Sequence, residues 1–145
     1  MTRQEKAIDI FRQQFNCSQA VFAAYRDADR MDEETALKLA TVFGAGIGCT
    51  GSGMCGAASG ALMAISLRHG RGDLASVANR GNTYAMGRRF LEEFGNRMGS
   101  TTCETILGLN IGTPENLAKA RDMKLFETRC VDAVRAASEI LEALL

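Results

Sequence analysis

Apolar residues recur every three or four positions along nearly the whole chain of 145 residues, which is the spacing of one face of an α-helix. The single proline, Pro114, fits the first turn of a helix, where its missing N–H costs nothing. Residues 106–109 are too few and too isolated to count as a strand. The pattern therefore predicts an all-α protein.

The predicted helices form one bundle. We expect a single helical domain over residues 1–145 with six or seven helices. The central one, at about 55–69, is apolar nearly all round, as in a helix that others surround. A glycine-rich loop at 44–53, which no regular helix would tolerate, precedes it.

The longest predicted helix runs from a cap at Asp73 to about residue 98. Its apolar spacing predicts that five residues face inward, namely Leu74, Val77, Tyr84, Leu91 and Phe94. Glycine inside a helix is destabilising by about 1 kcal/mol relative to alanine. Its internal glycines at positions 81 and 87 therefore indicate tight packing there.

The charge balance excludes one class of partner. The chain has 17 basic and 17 acidic side chains, so it lacks the basic surface that tracks phosphates, and we expect no nucleic-acid partner. The most apolar stretch, 57–67, is too short to cross a bilayer. Residues 1–19 lack the pattern of a secretory signal. We expect a soluble, cytoplasmic protein with no membrane partner.

The cysteines are the most informative residues. In a reducing compartment, metal binding, redox chemistry or burial explain five cysteines better than a disulfide framework does. Four of the five lie at predicted helix starts, two of them inside capping-box patterns at 16–19 and 101–104. The free N–H groups and the dipole of a helix N-terminus favour a thiolate. These four are Cys17, Cys55, Cys103 and Cys130.

The same four cysteines continue the apolar stripes of their helices, so all should point inward, where several could meet. Burial in the core is an alternative explanation for the inward position of these cysteines, because free cysteine often acts as a small buried hydrophobe. The chain has no Cys-x-x-Cys pair. Any site must therefore be assembled from distant segments.

Several segments together resemble a known family. They are Asn-Cys-Ser-Gln at 16–19, Phe-Gly-Ala-Gly at 43–46, Cys-Gly-Ala-Ala-Ser-Gly at 55–60, Cys103 before Glu-Thr-Ile-Leu-Gly, and Cys130 before the last helix. Over about 7–144 the chain resembles the C_GCAxxG_C_C family of small redox-active proteins. The resemblance implies that Cys17, Cys55, Cys103 and Cys130 are the functional cysteines. Cys49, in the glycine loop, is an addition to that pattern.

Two chemistries fit four such cysteines. The first is thiol–disulfide exchange by a thiol–disulfide oxidoreductase with an unknown redox partner, in which Cys55 is the expected attacking thiolate and the pairing stays open. The second is a thiolate-bound metal or iron–sulfur cluster held by the same four residues, with Cys49 as an auxiliary ligand and His69 as a further candidate. The lack of a close ligand pair weighs against the second.

Two further functions are considered. Residues 46–51 match G-x-G-x-x-G, but a dinucleotide site needs a preceding strand, and helical spacing continues there instead. A helical module that binds a small anion or a protein partner is the non-enzymatic alternative, with the amides at 53–56 as the cradle. Its candidate basic residues are Arg68, Arg71, Arg88 and Arg89. Helix faces rich in small residues also predict a homodimer.

Overall fold

The computed structural model describes all 145 residues and is built from α-helices. It has no β-sheet, and its one β-bridge joins Met54 to Thr102. The all-α class is confirmed, and the helices number eight rather than six or seven. None of them combines the length and the apolar composition needed to cross a membrane. The helices are α1 (Arg3–Arg12), α2 (Cys17–Tyr25), α3 (Glu33–Ala40), α4 (Gly56–His69), α5 (Val77–Met98), α6 (Cys103–Leu107), α7 (Pro114–Asp122) and α8 (Arg129–Leu144).

Two helices, α2 and α4, lie at the centre. The first six residues of α4, from Gly56 to Ala61, are all buried, as expected for the predicted central helix. Every residue of α2 except Gln19 is also buried, and the helix carries no charged side chain. The burial of α2 as a second central helix was not predicted. Helices α1, α3, α5 and α8 pack around this pair.

Two glycines on α4 allow the start of α2 to lie directly against it. A Cβ atom at Gly56 would lie 2.4 Å from Sγ of Cys17, and one at Gly60 would lie 2.5 Å from the carbonyl oxygen of Ser18. Both distances are far shorter than a van der Waals contact. Because the two glycines are one turn apart, they open one continuous notch on the same face of the helix.

The predicted capping box at the start of α2 is confirmed. The side chain of Asn16 accepts a hydrogen bond from the Gln19 N–H at 2.9 Å, and the Gln19 side chain accepts one from the Asn16 N–H at 3.0 Å. The two side-chain amides also donate to the carbonyls of Thr41 and Leu37. These bonds tie the first residue of α2, Cys17, to the end of α3 and the 3₁₀ turn after it.

The capping box predicted at 101–104 is wrong. The N-cap of α6 is Thr102, and its side chain caps nothing. A capping Thr101 would have to bind the N–H of Glu104, but that N–H already donates to the carbonyl of Gly51 at 3.0 Å. A hydrogen bond to the distant residue Gly51 therefore replaces the expected local hydrogen bond to Thr101.

The glycine-rich loop winds with the opposite hand to an α-helix. Five consecutive residues have positive φ: Ala45 at 53°, Gly46 at 72°, Ile47 at 68°, Gly48 at 63° and Cys49 at 58°. This backbone costs about 1–2 kcal/mol at each residue that carries a Cβ. The contacts of the loop with the rest of the protein must offset that cost.

The segment before the loop is helical. Helix α3 ends at Ala40, and the short 3₁₀ turn Thr41–Phe43 continues it. No strand precedes the G-x-G-x-x-G match at 46–51, so the arrangement that binds a dinucleotide pyrophosphate is not formed.

The first turns of α5 do not face the core. The helix begins at Val77, because Asp73 caps a separate turn by accepting a hydrogen bond from the Ser76 N–H at 2.7 Å. The prediction that this stripe faces inward is wrong for Leu74, Val77 and Tyr84, which are exposed. It is confirmed for Phe94, which is buried, and for Leu91, which packs against the core. At 22 residues against 14, α5 is longer than α4 by about 12 Å, so its neighbour does not cover its whole length.

The two glycines inside α5 are not packing sites. A Cβ at Gly81 would meet nothing within 4 Å, and one at Gly87 would make an ordinary 3.6 Å contact with Leu62. The tight packing expected at these positions is absent. The buried contacts of α5 come instead from Phe90 and Phe94 in its second half.

These environments predict opposite effects for one substitution at two glycines. We expect Gly60→Ala to lower the free energy of unfolding by about 1–3 kcal/mol, because the new methyl group overlaps the backbone of α2. We expect Gly81→Ala, in open space, to raise it by about 0.5–1 kcal/mol. Urea unfolding measures both. A Gly60→Ala variant as stable as the parent would refute the proposed close approach.

Candidate functional site

Four cysteines from four separate helix starts line one cavity of about 930 Å³. Cys17 and Cys103 are the first residues of α2 and α6, Cys130 is the second residue of α8, and Cys55 is the N-cap of α4. The cavity is bounded mainly by apolar side chains. The structure thus brings all four sequence-predicted cysteines to the wall of one space.

A short pairing of two loops positions Cys55 and Cys103. The Cys55 N–H donates to the carbonyl of Thr101 at 2.7 Å, and the Cys103 N–H donates to the carbonyl of Gly53 at 3.0 Å. These bonds flank the bridge between Met54 and Thr102 noted above. The end of the glycine loop is thereby joined to the start of α6, which fixes both cysteines at the cavity.

The four cysteines belong to two different apolar clusters. Cys17 and Cys55 are part of the main core. Cys103 belongs to a small second cluster with Leu107, Ile111 and Ala120, and the partly buried Cys130 packs against it. The cavity is lined by members of both clusters.

Cys17 is the cysteine whose surroundings favour a thiolate. The neighbouring Cys55 thiol donates a hydrogen bond to its sulfur, and the backbone N–H groups of Ala45, Cys17 and Ser18 also face it. Together they outweigh burial, which acts in the opposite direction, and lower the pKa of Cys17 to about 7. The Ala45 N–H comes from the left-handed loop, so the costly backbone there presents a donor to this sulfur.

The other three cysteines of the cavity are held in the protonated form. The hydrogen bond to Cys17 and burial raise the pKa of Cys55, and the nearby Cys17 charge raises it further. Burial raises the pKa of Cys103 to about 12 and also raises the pKa of Cys130. A helix start therefore produces a favoured thiolate only at Cys17, where amides and a thiol donor converge. These directions of the pKa shifts favour Cys17, not Cys55, as the attacking thiolate.

The cavity is also lined by side chains that were not predicted to belong to a site. Phe11, Phe15 and Phe126 supply aromatic surface, and Arg12 and Arg121 supply positive charge. They come from α1, α7 and the loops next to them. Each looks like an ordinary helix or loop residue in sequence, so no local signal marks it.

Cys49 and His69 lie outside the cavity. Cys49 is exposed on the left-handed loop. His69 is the last residue of α4, at the opposite end from Cys55, about 20 Å along the helix axis. This position gives no support to His69 as a ligand. The auxiliary role of Cys49 stays a prediction, because its charge helps to raise the pKa of Cys103 although its side chain does not line the cavity.

The predicted metal or iron–sulfur site was tested against the arrangement of side chains. No group of three or more His, Cys, Asp or Glu residues is positioned to hold a metal ion. A cluster ligated by Cys17, Cys55, Cys103 and Cys130 would require these thiols to move closer together. It stays a prediction, and no step below depends on it.

Half of the expected anion cradle is occupied by the protein itself, since two of its four amides and two of its four candidate arginines already have partners. The amides of Gly53 and Cys55 already donate to backbone carbonyls. Of the candidate basic residues, Arg71 donates to the carbonyls of its own loop, and Arg89 pairs with Glu93 on α5. These groups are therefore not free for a ligand at the start of α4.

A comparison with protein families agrees with this concentration of thiols. The model of the family described as "Putative redox-active protein (C_GCAxxG_C_C)" matches residues 15–144. The chain belongs to this family. No curated protein matches the chain, and no solved structure matches it. Membership of the C_GCAxxG_C_C family supports a general redox role.

The fold gives a physical reason for one motif of this C_GCAxxG_C_C protein. The segment at 55–60 reads Cys-Gly-Ala-Ala-Ser-Gly, and its two glycines form the notch that receives α2. Its cysteine contributes the thiol that donates to Cys17. One short segment therefore supplies both the second thiol and the space in which the first lies.

The contact between the two thiols predicts a shift that two substitutions separate. Cys55→Ala removes the donor, so we expect the pKa of Cys17 to rise from about 7 toward its ordinary value of 9.0. Cys55→Ser keeps an O–H donor, so the pKa of Cys17 should stay closer to about 7 in this variant. Below its pKa Cys17 is a thiol and above it a thiolate, so ultraviolet thiolate absorbance against pH gives the midpoint.

The Cys17→Ser variant supplies the baseline for this titration, because it lacks the transition assigned to Cys17. Equal midpoints for Cys55→Ala and Cys55→Ser, both near the ordinary value, would show that the neighbouring thiol does not act as a donor.

Proposed function

We propose that this protein is a thiol redox protein in which Cys17 and Cys55 exchange between a dithiol and a disulfide. The observation that carries the proposal is the position of the Cys17 sulfur against Gly56, the residue next to Cys55, where Cys17 is favoured as a thiolate and Cys55 is held as a thiol. A nucleophilic thiolate beside a protonated partner is the arrangement that thiol–disulfide exchange requires.

In the first step, the Cys17 thiolate attacks one sulfur of a substrate disulfide. The substrate S–S bond breaks, and a mixed disulfide forms between Cys17 and one half of the substrate. The other half leaves as a thiolate. The backbone N–H groups that face the Cys17 sulfur stabilise its charge before the attack.

In the second step, Cys55 resolves the mixed disulfide. Once Cys17 has reacted, its negative charge and its hydrogen bond no longer hold the proton on Cys55, so two causes of the raised pKa disappear. Cys55 passes its proton to a leaving thiolate and attacks the Cys17 sulfur. The Cys17–Cys55 bond forms, and the substrate leaves with two electrons and, in water, two protons.

Cys103 and Cys130 are the two other cysteines that line the same cavity. Both have raised pKa values because they are buried, so they stay protonated and do not compete with Cys17 for the first attack. We propose that these two thiols receive the disulfide from Cys17 and Cys55 by a second exchange, in which the Cys17–Cys55 bond breaks, a Cys103–Cys130 bond forms, and two protons pass from Cys103 and Cys130 to Cys17 and Cys55. That transfer would return Cys17 and Cys55 to the dithiol form.

The setting of this chemistry is also proposed. All five cysteines are free, and free thiols persist in a reducing compartment such as the cytoplasm. The balanced charge favours a redox partner over nucleic acid. The exposed residues Leu74, in the turn before α5, and Val77 and Tyr84, in its first half, offer an apolar surface for a second copy in a homodimer.

Mild oxidation of the reduced protein tests the central pair. With diamide as oxidant, we expect a loss of mass equal to two hydrogen atoms and a crosslink between the peptides that contain Cys17 and Cys55. Cys17→Ser and Cys55→Ser should each abolish that crosslink. Cys49→Ser, which removes the exposed cysteine outside the cavity, should retain it. Non-reducing peptide mapping by mass spectrometry reads out all four proteins.

Two results would overturn the proposal. One is a protein whose buried thiols all stay reduced under conditions that oxidise Cys49. The other is a first crosslink that joins Cys103 to Cys130 in the parent and leaves Cys17 free, which would show that the attacking pair lies in the second cluster.

A further inference from the structure

The burial of the thiols limits the size of a substrate. Cys17 is 8% exposed and Cys55 is 6% exposed. Neither sulfur projects from the surface, as it would have to in order to reach a disulfide on a folded protein. Both face a cavity of about 930 Å³, which is at the upper end of the range for pockets that hold one small organic molecule. A substrate that reaches them is therefore a small molecule.

The walls of the cavity indicate the body of that molecule. Fourteen of the 20 lining residues are hydrophobic. Phe11 and Phe15 at the end of α1 and Phe126 after α7 are partly exposed, so they offer ring faces to a ligand. Flat or apolar groups gain most from such contacts. A peptide disulfide with strongly hydrated polar groups would lose hydrogen bonds to water there and would gain few from the apolar walls.

The charged residues of the cavity indicate a second feature. Arg12 and Arg121 are exposed at its edge, and neither takes part in an ion pair or a side-chain hydrogen bond of the chain. The one acidic lining residue is Glu127. The guanidinium groups are thus free to bind a carboxylate, whose geometry they match.

We infer that the cavity takes a small-molecule disulfide with an apolar body and a carboxylate group. This inference rests on the proposed function at Cys17 and Cys55, since it names the substrate of that exchange. The apolar body lies among the phenylalanine side chains, the carboxylate lies toward Arg12 and Arg121, and the disulfide is attacked by Cys17.

The aryl disulfide dithiobis(nitrobenzoate) is a suitable probe because it has all three features. Attack by Cys17 breaks its S–S bond and releases one coloured arylthiolate. Attack by Cys55 on the mixed disulfide forms the Cys17–Cys55 bond and releases the second. Two arylthiolates therefore appear for each protein disulfide, and two electrons pass from protein to probe.

The test compares probes that lack one feature at a time, in a Cys49→Ser background that removes the exposed thiol. Dithiodipyridine is aromatic but has no carboxylate, and glutathione disulfide has carboxylates but a polar body. Insulin provides disulfides on a folded protein. Each rate with the folded protein is divided by the rate of the same probe with the denatured protein, which corrects for intrinsic reactivity.

We expect the corrected rate for dithiobis(nitrobenzoate) to exceed that for dithiodipyridine by about three- to fivefold, the size that a partly exposed ion pair provides. The double variant Arg12→Gln with Arg121→Gln should remove this difference and leave the dithiodipyridine rate unchanged. Arg30→Gln, whose parent residue pairs with Asp27 away from the cavity, is the matched control and should have no effect.

The outcomes separate this inference from the proposed function. If both aryl disulfides produce the Cys17–Cys55 crosslink at equal corrected rates, or if glutathione disulfide or insulin reacts fastest, the substrate class is wrong and the exchange chemistry stands. If no probe produces the crosslink, the proposed function fails, and the inference fails with it.

Discussion

The contact between the first turn of α2 and the glycines of α4 is the constraint on which the site depends. Without side chains at Gly56 and Gly60, the backbone of α2 comes close enough for the sulfur of Cys17 to lie over the start of α4. The N-cap of α4 is Cys55, so the close approach of two helices is also the approach of two thiols. Packing and chemistry here have one cause.

The left-handed loop serves the same site at a local cost. Ala45, Ile47 and Cys49 adopt a backbone that disfavours side chains. In return, the loop directs the Ala45 N–H at Cys17 and hydrogen-bonds through Gly51 and Gly53 to the start of α6. Strained backbone of this kind persists where surrounding contacts determine it, which is common at functional sites.

Features encoded in local sequence were predictable, and features made by distant contacts were not. Apolar spacing identified the helices, and the box of Asn16 and Gln19 formed as expected. The exposed start of α5 was mispredicted because an apolar stripe carries no information on whether a neighbouring helix reaches it. The pKa order of Cys17 and Cys55 was also hidden, since it depends first on the interaction between these two thiols and then on burial and on the Ala45 N–H, none of which a local pattern shows.

The division of the cavity between a large core and a small one has a mechanical consequence. Twenty-seven buried residues form the cluster that holds Cys17 and Cys55, and only four form the cluster that holds Cys103. Regions with few buried apolar contacts open at lower free energy than the rest of a protein. Of the segments around the cavity, we therefore expect the one that carries α7 to open at the lowest free energy, whereas Ile106 anchors α6 in the larger core beside Cys17 and Cys55.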